Sequence, residues 1–142
     1  MKKDKTTLVT GGFDPLHKGH IYYFESSKKL TGNLVVGINS DQWLVNKKGY
    51  SFMGWEDRAE IIRNLEVVDK VIEFNDENGS ANDAIRISLE EYQNVFFANG
   101  GDREKNNIPE LDEFKDDKRV TFNFGVGGNN KANSSSWIIN DF

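Results

Sequence analysis

The run Thr10-Gly11-Gly12-Phe13-Asp14-Pro15-Leu16-His17-Lys18-Gly19-His20 decides how this chain is read. Before it stands Thr7-Leu8-Val9-Thr10, an apolar run rich in β-branched residues, which reads as a buried strand. After it, residues 21–30 read as a helix. A glycine pair therefore ends a strand, and two histidines stand where a helix opens. In open α/β sheets, ligands bind at the carboxyl ends of strands, at places of this kind.

The chemistry of the run points the same way. Gly11 and Gly12 carry no Cβ, so backbone N–H groups beside them can approach an anion closely. Residues three apart on a helix share a face, so His17 and His20 can point at one ligand if both lie in the first turn. The positive end of the helix dipole points there too. Imidazole donors, backbone amides and a helix terminus together suit a polyphosphate. A metal is the competing reading of His-x-x-His, but the pair lacks further obvious ligands. Both of the chain's histidines fall within this window, beside a glycine turn and an aspartate, which argues against ordinary surface residues.

Working outward, the rest of the chain alternates strands with helices. Thr31-Gly32 reads as a helix stop, residues 33–39 as a second buried strand, and Asn39-Ser40-Asp41 as the cap of a short helix. Lys47-Lys48-Gly49-Tyr50 reads as a loop, and residues 51–58 lead into a helix running to about Leu65. Residues 67–74 carry a third strand. Residues 80–92 read as a helix, 94–99 as a fourth strand and 119–124 as a fifth. Asn107-Ile108-Pro109 opens a short acidic helix through Phe114. Residues 125–133 read as a loop, and Ser134-Ser135-Ser136 begins a last helix. This alternation implies a mostly parallel sheet with right-handed crossovers and helices on both faces, in one domain spanning residues 1–142.

Composition narrows the function classes. The 142 residues carry a net charge of −5 and no long basic stripe, which argues against nucleic acid as a partner. No apolar run approaches the length of a membrane span, and the basic start Met1-Lys2-Lys3-Asp4-Lys5 lacks the apolar core of a signal peptide. The expectation is a cytoplasmic protein with no membrane partner. Without cysteine there is no disulfide, thiolate zinc site or cysteine nucleophile.

Gly-Gly-Phe-Asp-Pro-Leu-His-x-Gly-His, residues 11–20, resembles the HxGH signature of the cytidylyltransferase-like nucleotidyltransferases. That superfamily includes glycerol-3-phosphate cytidylyltransferase, phosphopantetheine adenylyltransferase and the heptose-phosphate adenylyltransferases. The resemblance covers nearly the whole chain. It implies a Rossmann-like α/β architecture, a five-stranded parallel sheet in the order 3-2-1-4-5. It implies a nucleotide site made by Gly11, Gly12, Phe13, Asp14 and Gly19, by Gly101 and Asp102 after the fourth strand, and by Ser134, Ser135 and Ser136 on the distal phosphates. His17 and His20 would be catalytic, together with a mobile lysine, Lys47 or Lys48. Arg58, early in its helix, would structure the site or bind the acceptor phosphate.

The reaction so implied transfers a nucleoside monophosphate, CMP from CTP by preference, onto a phosphorylated polyol or sugar, with release of pyrophosphate. An adenylyltransferase acting on a sugar phosphate or pantetheine phosphate is the first alternative. A nucleotide-binding regulatory module without turnover is the second. Mg²⁺ would ride on the triphosphate and water, with no protein metal site, and Asp14 would be a second-shell or metal contact or would only fix the turn. Glu66 stands where the glycerol-phosphate enzymes carry an arginine, and Lys131 is the only cation near the position of a second one, which counts against glycerol 3-phosphate as acceptor. The family is often dimeric, and three tryptophans and ten phenylalanines leave aromatic surface to cover, so a homodimer is expected.

Overall fold

A computed structural model describes residues 2–100 and 108–127. Five strands, β1 (Lys3–Gly11), β2 (Leu34–Ile38), β3 (Lys70–Glu73), β4 (Tyr92–Gly100) and β5 (Val120–Val126), form one sheet in the order β3-β2-β1-β4-β5. Every pairing is parallel. Five helices connect them: α1 (Lys18–Thr31), α2 (Asp41–Lys48), α3 (Trp55–Arg63), α4 (Asn82–Glu91) and α5 (Glu110–Phe114). The expected α/β class, Rossmann-like strand order and helices on both faces are all present.

Alternation along the central strands divides the core. Val9, Leu34, Val36, Ile38 and Ala98 pack with Phe24 of α1 and with Ala59 and Ile62 of α3. Leu8, Val35, Val95 and Phe97 pack on the other face with Ala84, Ile85 and Leu89 of α4 and Phe114 of α5. Each such side chain, fully removed from water, contributes about 1.5–3 kcal/mol. Continuous apolar runs such as Leu34-Val35-Val36 are what a strand covered on both faces requires.

The boundaries differ from the sequence reading where tertiary pairing decides them. β1 begins at Lys3, four residues before the apolar run, because Lys3 and Lys5 lie opposite Tyr92 and Asn94 of β4. Tyr92, assigned from sequence to the helix, opens β4 and is 4% exposed. α4 passes into β4 with no loop. β3 starts at Lys70 rather than Val67, since residues before it form a turn in which Val68 N–H bonds the Leu65 carbonyl. α3 ends at Arg63. The caps are where the sequence puts them: Ser40 Oγ accepts from Trp43 N–H at 3.1 Å, and Gly32, at φ 85°, closes α1. The last helix proposed from Ser134 lies outside the described residues.

Candidate functional site

β1 ends at Gly11 against the end of β2, with Gly11 opposite Ile38. The turn that follows is tightly packed. A Cβ on Gly12 would stand 2.6 Å from Leu44 Cδ2 and 3.3 Å from the Trp43 ring of α2. A Cβ on Gly11 would stand 2.8 Å from the tip of the Phe13 ring. Both glycines are therefore needed for the close approach of neighbouring side chains.

His17 is the N-cap of α1 and His20 its third residue. Gly19 N–H donates to His17 Nδ1 at 3.1 Å, and His17 N–H donates to His20 Nδ1 at 3.1 Å. This is a capping box in which imidazoles replace the usual hydroxyl and carboxylate. The two rings stack with centroids 3.9 Å apart and planes 28° from parallel. The rings thus take up the His17 and Gly19 amides at the helix opening. Since each Nδ1 accepts, the proton of each neutral ring sits on Nε2. Each imidazole carries the polarity of a helix amide outward to its own N–H. His17 Nε2 is buried and has no hydrogen-bond partner.

Both rings are held neutral. Burial lowers the pKa of His17 below its usual value. Burial lowers that of His20 to about 3, with the neighbouring His17 adding to the shift. At neutral pH the pair is two N–H donors and no cation.

Asp14, three residues before His17, is 1% exposed. Its carboxylate accepts from Phe52 N–H at 2.6 Å and Met53 N–H at 2.7 Å, and pairs with Lys48 Nζ at 3.2 Å. Lys48 also donates to the Asp14 carbonyl at 2.7 Å. Asp14 therefore ties the loop after α2 to the signature turn, which matches the turn-fixing alternative and leaves its carboxylate committed to these partners. Lys47 lies with Nζ 4.7 Å from the Trp43 ring centroid, away from the Asp14 contacts. Of the two lysines, Lys48 is the one the fold brings against the signature.

Of the two roles the sequence leaves open for Arg58, structuring the site and binding the acceptor phosphate, its contacts match the first. Its side chain is fully buried, and its donors are committed within the protein. Nε bonds the Met53 carbonyl at 3.0 Å, one Nη the carbonyls of Gly12 and Asn39 at 2.8 Å each, and the other Asp41 Oδ1 at 2.6 Å. A guanidinium so enclosed clamps three loops together and presents nothing to a ligand. The carboxyl end of β2 has a second clamp that the sequence did not disclose. Buried Asp76 accepts from Asn39 Nδ2, Ser40 N–H and Ser40 Oγ at 2.8–3.0 Å. No local pattern marks it, because its partners lie thirty-six and thirty-seven residues away.

Gly101, Asp102, Ser134, Ser135, Ser136 and Lys131 lie outside the described residues. Among the described residues, no group of three or more His, Asp or Glu could hold a metal ion. Asp14, the acidic residue of the signature, already has two amides and an ammonium. The described residues thus do not fit a resident metal.

Residues 8–139 match the family described as cytidylyltransferase-like. A bifunctional protein HldE of Campylobacter fetus is 42% identical over 79 residues, covering 54% of this chain and 17% of the relative. The HldE of Blochmanniella floridana is 36% identical over 107 residues, covering 74% of this chain and 21% of the relative. A FAD synthase of Thermococcus sibiricus is 40% identical over 73 residues, 50% of this chain and 49% of that one. This chain therefore spans half or less of the length of these relatives. The crystal structure of a lipopolysaccharide core biosynthesis protein from Thermoplasma volcanium superposes with a TM-score of 0.69 at 24% identity, covering 88% of this chain and 98% of the other, which shows the shared fold. The signature turn, the strand order and the match across almost the whole sequence agree: the chain belongs to the cytidylyltransferase-like family.

Proposed function

We propose that this protein is a nucleotidyltransferase that moves a nucleoside monophosphate from its triphosphate onto a phosphorylated small molecule. A phosphate oxygen of the acceptor attacks the α-phosphorus, the new P–O bond forms, the bond to the β-phosphate breaks, and pyrophosphate leaves. No protein nucleophile is needed, so the protein's part is positioning and stabilisation of developing charge.

The observation that carries this reading is the histidine pair. Two neutral stacked rings, each locked at Nδ1 by a backbone amide, keep Nε2–H as their donors, and that of His17 is buried with no partner among the described residues. Such preorganised donors suit oxygens that gain charge as the phosphoryl group transfers. Lys48 supplies a cation beside them. Gly101, Asp102 and the serines 134–136 enter the proposal on resemblance, as contacts to the nucleotide. Magnesium belongs to the proposal as part of the metal–nucleotide substrate, since the described residues make no site for it.

The base and acceptor are the finer questions. The names of the relatives bear on them: a FAD synthase carries an adenine nucleotide in its product's name, and the HldE proteins resemble the adenylyltransferase branch considered from sequence. We hold ATP level with CTP as donor, with a sugar or polyol phosphate as acceptor. The proposal includes a cytoplasmic setting and a homodimer; no described helix is long and apolar enough to cross a membrane.

Thermal-shift measurements with CTP, ATP, UTP and GTP in the presence of Mg²⁺ separate the donors. Pyrophosphate release with sugar phosphates, polyol phosphates and flavin mononucleotide separates the acceptors. His17→Ala and His20→Ala should each lower turnover by about 10²-fold while the protein still folds. A folded His17→Ala protein with unchanged pyrophosphate release would refute the assignment.

A further inference from the structure

Phe13 is the only non-glycine residue with a left-handed backbone among the described residues, at φ 52°. A bulky residue adopts that conformation only where its surroundings impose it. Here the turn folds the Phe13 ring back onto Gly11 and leaves it 6% exposed. There the ring meets two others edge-on. The His20 centroid lies 5.1 Å away with planes at 88°, and the Phe24 centroid 5.1 Å away with planes at 76°. His20 is thus bounded by the stacked His17 ring and the apolar Phe13 ring, while Phe24 supports Phe13 from within α1.

We propose that Phe13 is a positioning residue for the histidine pair: its ring is the wall that fixes the His20 imidazole against His17, with Nδ1 on the His17 amide and Nε2 as the donor. The left-handed turn is the device that puts an aromatic ring there. Gly11 is the counterpart, since any side chain at that position would push the ring out of place. The wall also withholds water from His20, which is why that ring resists protonation. Among the described titratable groups, His17 is the one that acts on His20, so the charge state of His20 is set by that neighbour and by its burial. Only its consequence for turnover rests on the nucleotidyltransferase reading; the placement of the ring does not.

The chain's two histidines make the test direct. Nitrogen-15 NMR reports the tautomer and titration of each imidazole, and one His17 variant assigns the signals. In the parent protein, His20 should show a protonated Nε2, a bare Nδ1 and no titration until well into the acid range. Phe13→Leu keeps the site apolar but removes the flat wall. It should move the His20 titration upward by at least about one pH unit toward the ordinary value of about 6.5 and mix the tautomers. Gly11→Ala, which displaces the ring from the other side, should shift it in the same direction by less. It serves as the second variant if Phe13→Leu does not fold. A purely structural Phe13 would lower the melting temperature and leave the His20 signals where they were. Parent-like His20 tautomer and titration in a folded variant would overturn the proposal. The readout contains no nucleotide, so absence of nucleotidyl transfer in the parent protein would refute the function and leave this inference standing.

Discussion

Replacing His20 by Asn should change how the protein's stability depends on pH, by an amount the structure sets. In the folded protein, burial and the neighbouring His17 hold the His20 pKa at about 3. In the unfolded chain it returns to about 6.5. The folded state therefore binds fewer protons than the unfolded state between those values. Stability is full above pH 6.5 and falls as pH drops, by about 1.4 kcal/mol per unit, because protonating His20 is far easier once the chain unfolds. The whole effect amounts to about 5 kcal/mol, of which about 4.4 kcal/mol is lost by pH 3 and about 2.3 kcal/mol between pH 6.5 and 4.5. Asn keeps an oxygen that can accept from the His17 amide, as Nδ1 does at 3.1 Å, but carries no titratable group. Carboxylates such as Glu91 and Asp117 titrate in both proteins and cancel in the difference. Urea titrations of parent and His20→Asn at half-unit steps give the difference curve. For a domain of this size, the same loss appears as roughly 5–10 °C more fall in Tm for the parent. Curves parallel to within about 0.5 kcal/mol from pH 6.5 to 4.5 would show that His20 is not enclosed as described, since a desolvated imidazole cannot avoid this linkage.

Further expectations follow from the packing around the pair. Gly12→Ala places a Cβ within 2.6 Å of Leu44, and chemical denaturation should show a loss of about 1–3 kcal/mol, part of it recovered when Leu44 is also cut back to Ala. Arg58→Met leaves the carbonyls of Gly12, Asn39 and Met53 without their donor, and urea titration should show a loss of about 3–5 kcal/mol. Arg58→Lys should fall between the two, since one ammonium cannot span all the acceptors. Lys48→Ala should reduce pyrophosphate release more than Lys47→Ala does, because Lys48 stands on Asp14 while Lys47 lies over Trp43.

How much of this was legible beforehand depended on whether the cause was local. The alternation of strands and helices, the caps at Ser40 and Gly32 and the placing of both histidines at the start of α1 follow from patterns a few residues long, while the strand order came from the family resemblance. The reach of β1 back to Lys3 was not legible, because it is set by pairing with Tyr92 and Asn94 some ninety residues on. The choice between the two roles of Arg58, bracing the site or binding the acceptor, was not legible for a related reason. An arginine at the start of an amphipathic helix looks available to solvent, and only the folded arrangement of residues 12, 39 and 53 encloses it. Gly11 and Gly12 were rightly singled out, but the partners that require their lack of a Cβ are Phe13 and α2. Asp76 had no local signal at all.

These contacts bear on what kind of site this is. Two described cations that contact the signature turn are held by carboxylates: Lys48 faces Asp14, and Arg58 faces Asp41. The histidines are neutral because they are buried. What the histidine pair presents at neutral pH is therefore dipolar, N–H groups held by Nδ1 hydrogen bonds and by stacking. A dipole does its work only at the right distance and angle, whereas a free ammonium attracts any anion that comes near. A chain with a net charge of −5 gains from that arrangement. The donors are in place before a phosphate arrives, and no proton has to be acquired by a buried ring for them to act. The same logic explains why so many groups around the pair hold geometry rather than charge. Phe13, Asp14 and Arg58 each act on backbone or ring position, and a donor pair whose strength lies in its direction is the feature that such bracing would serve.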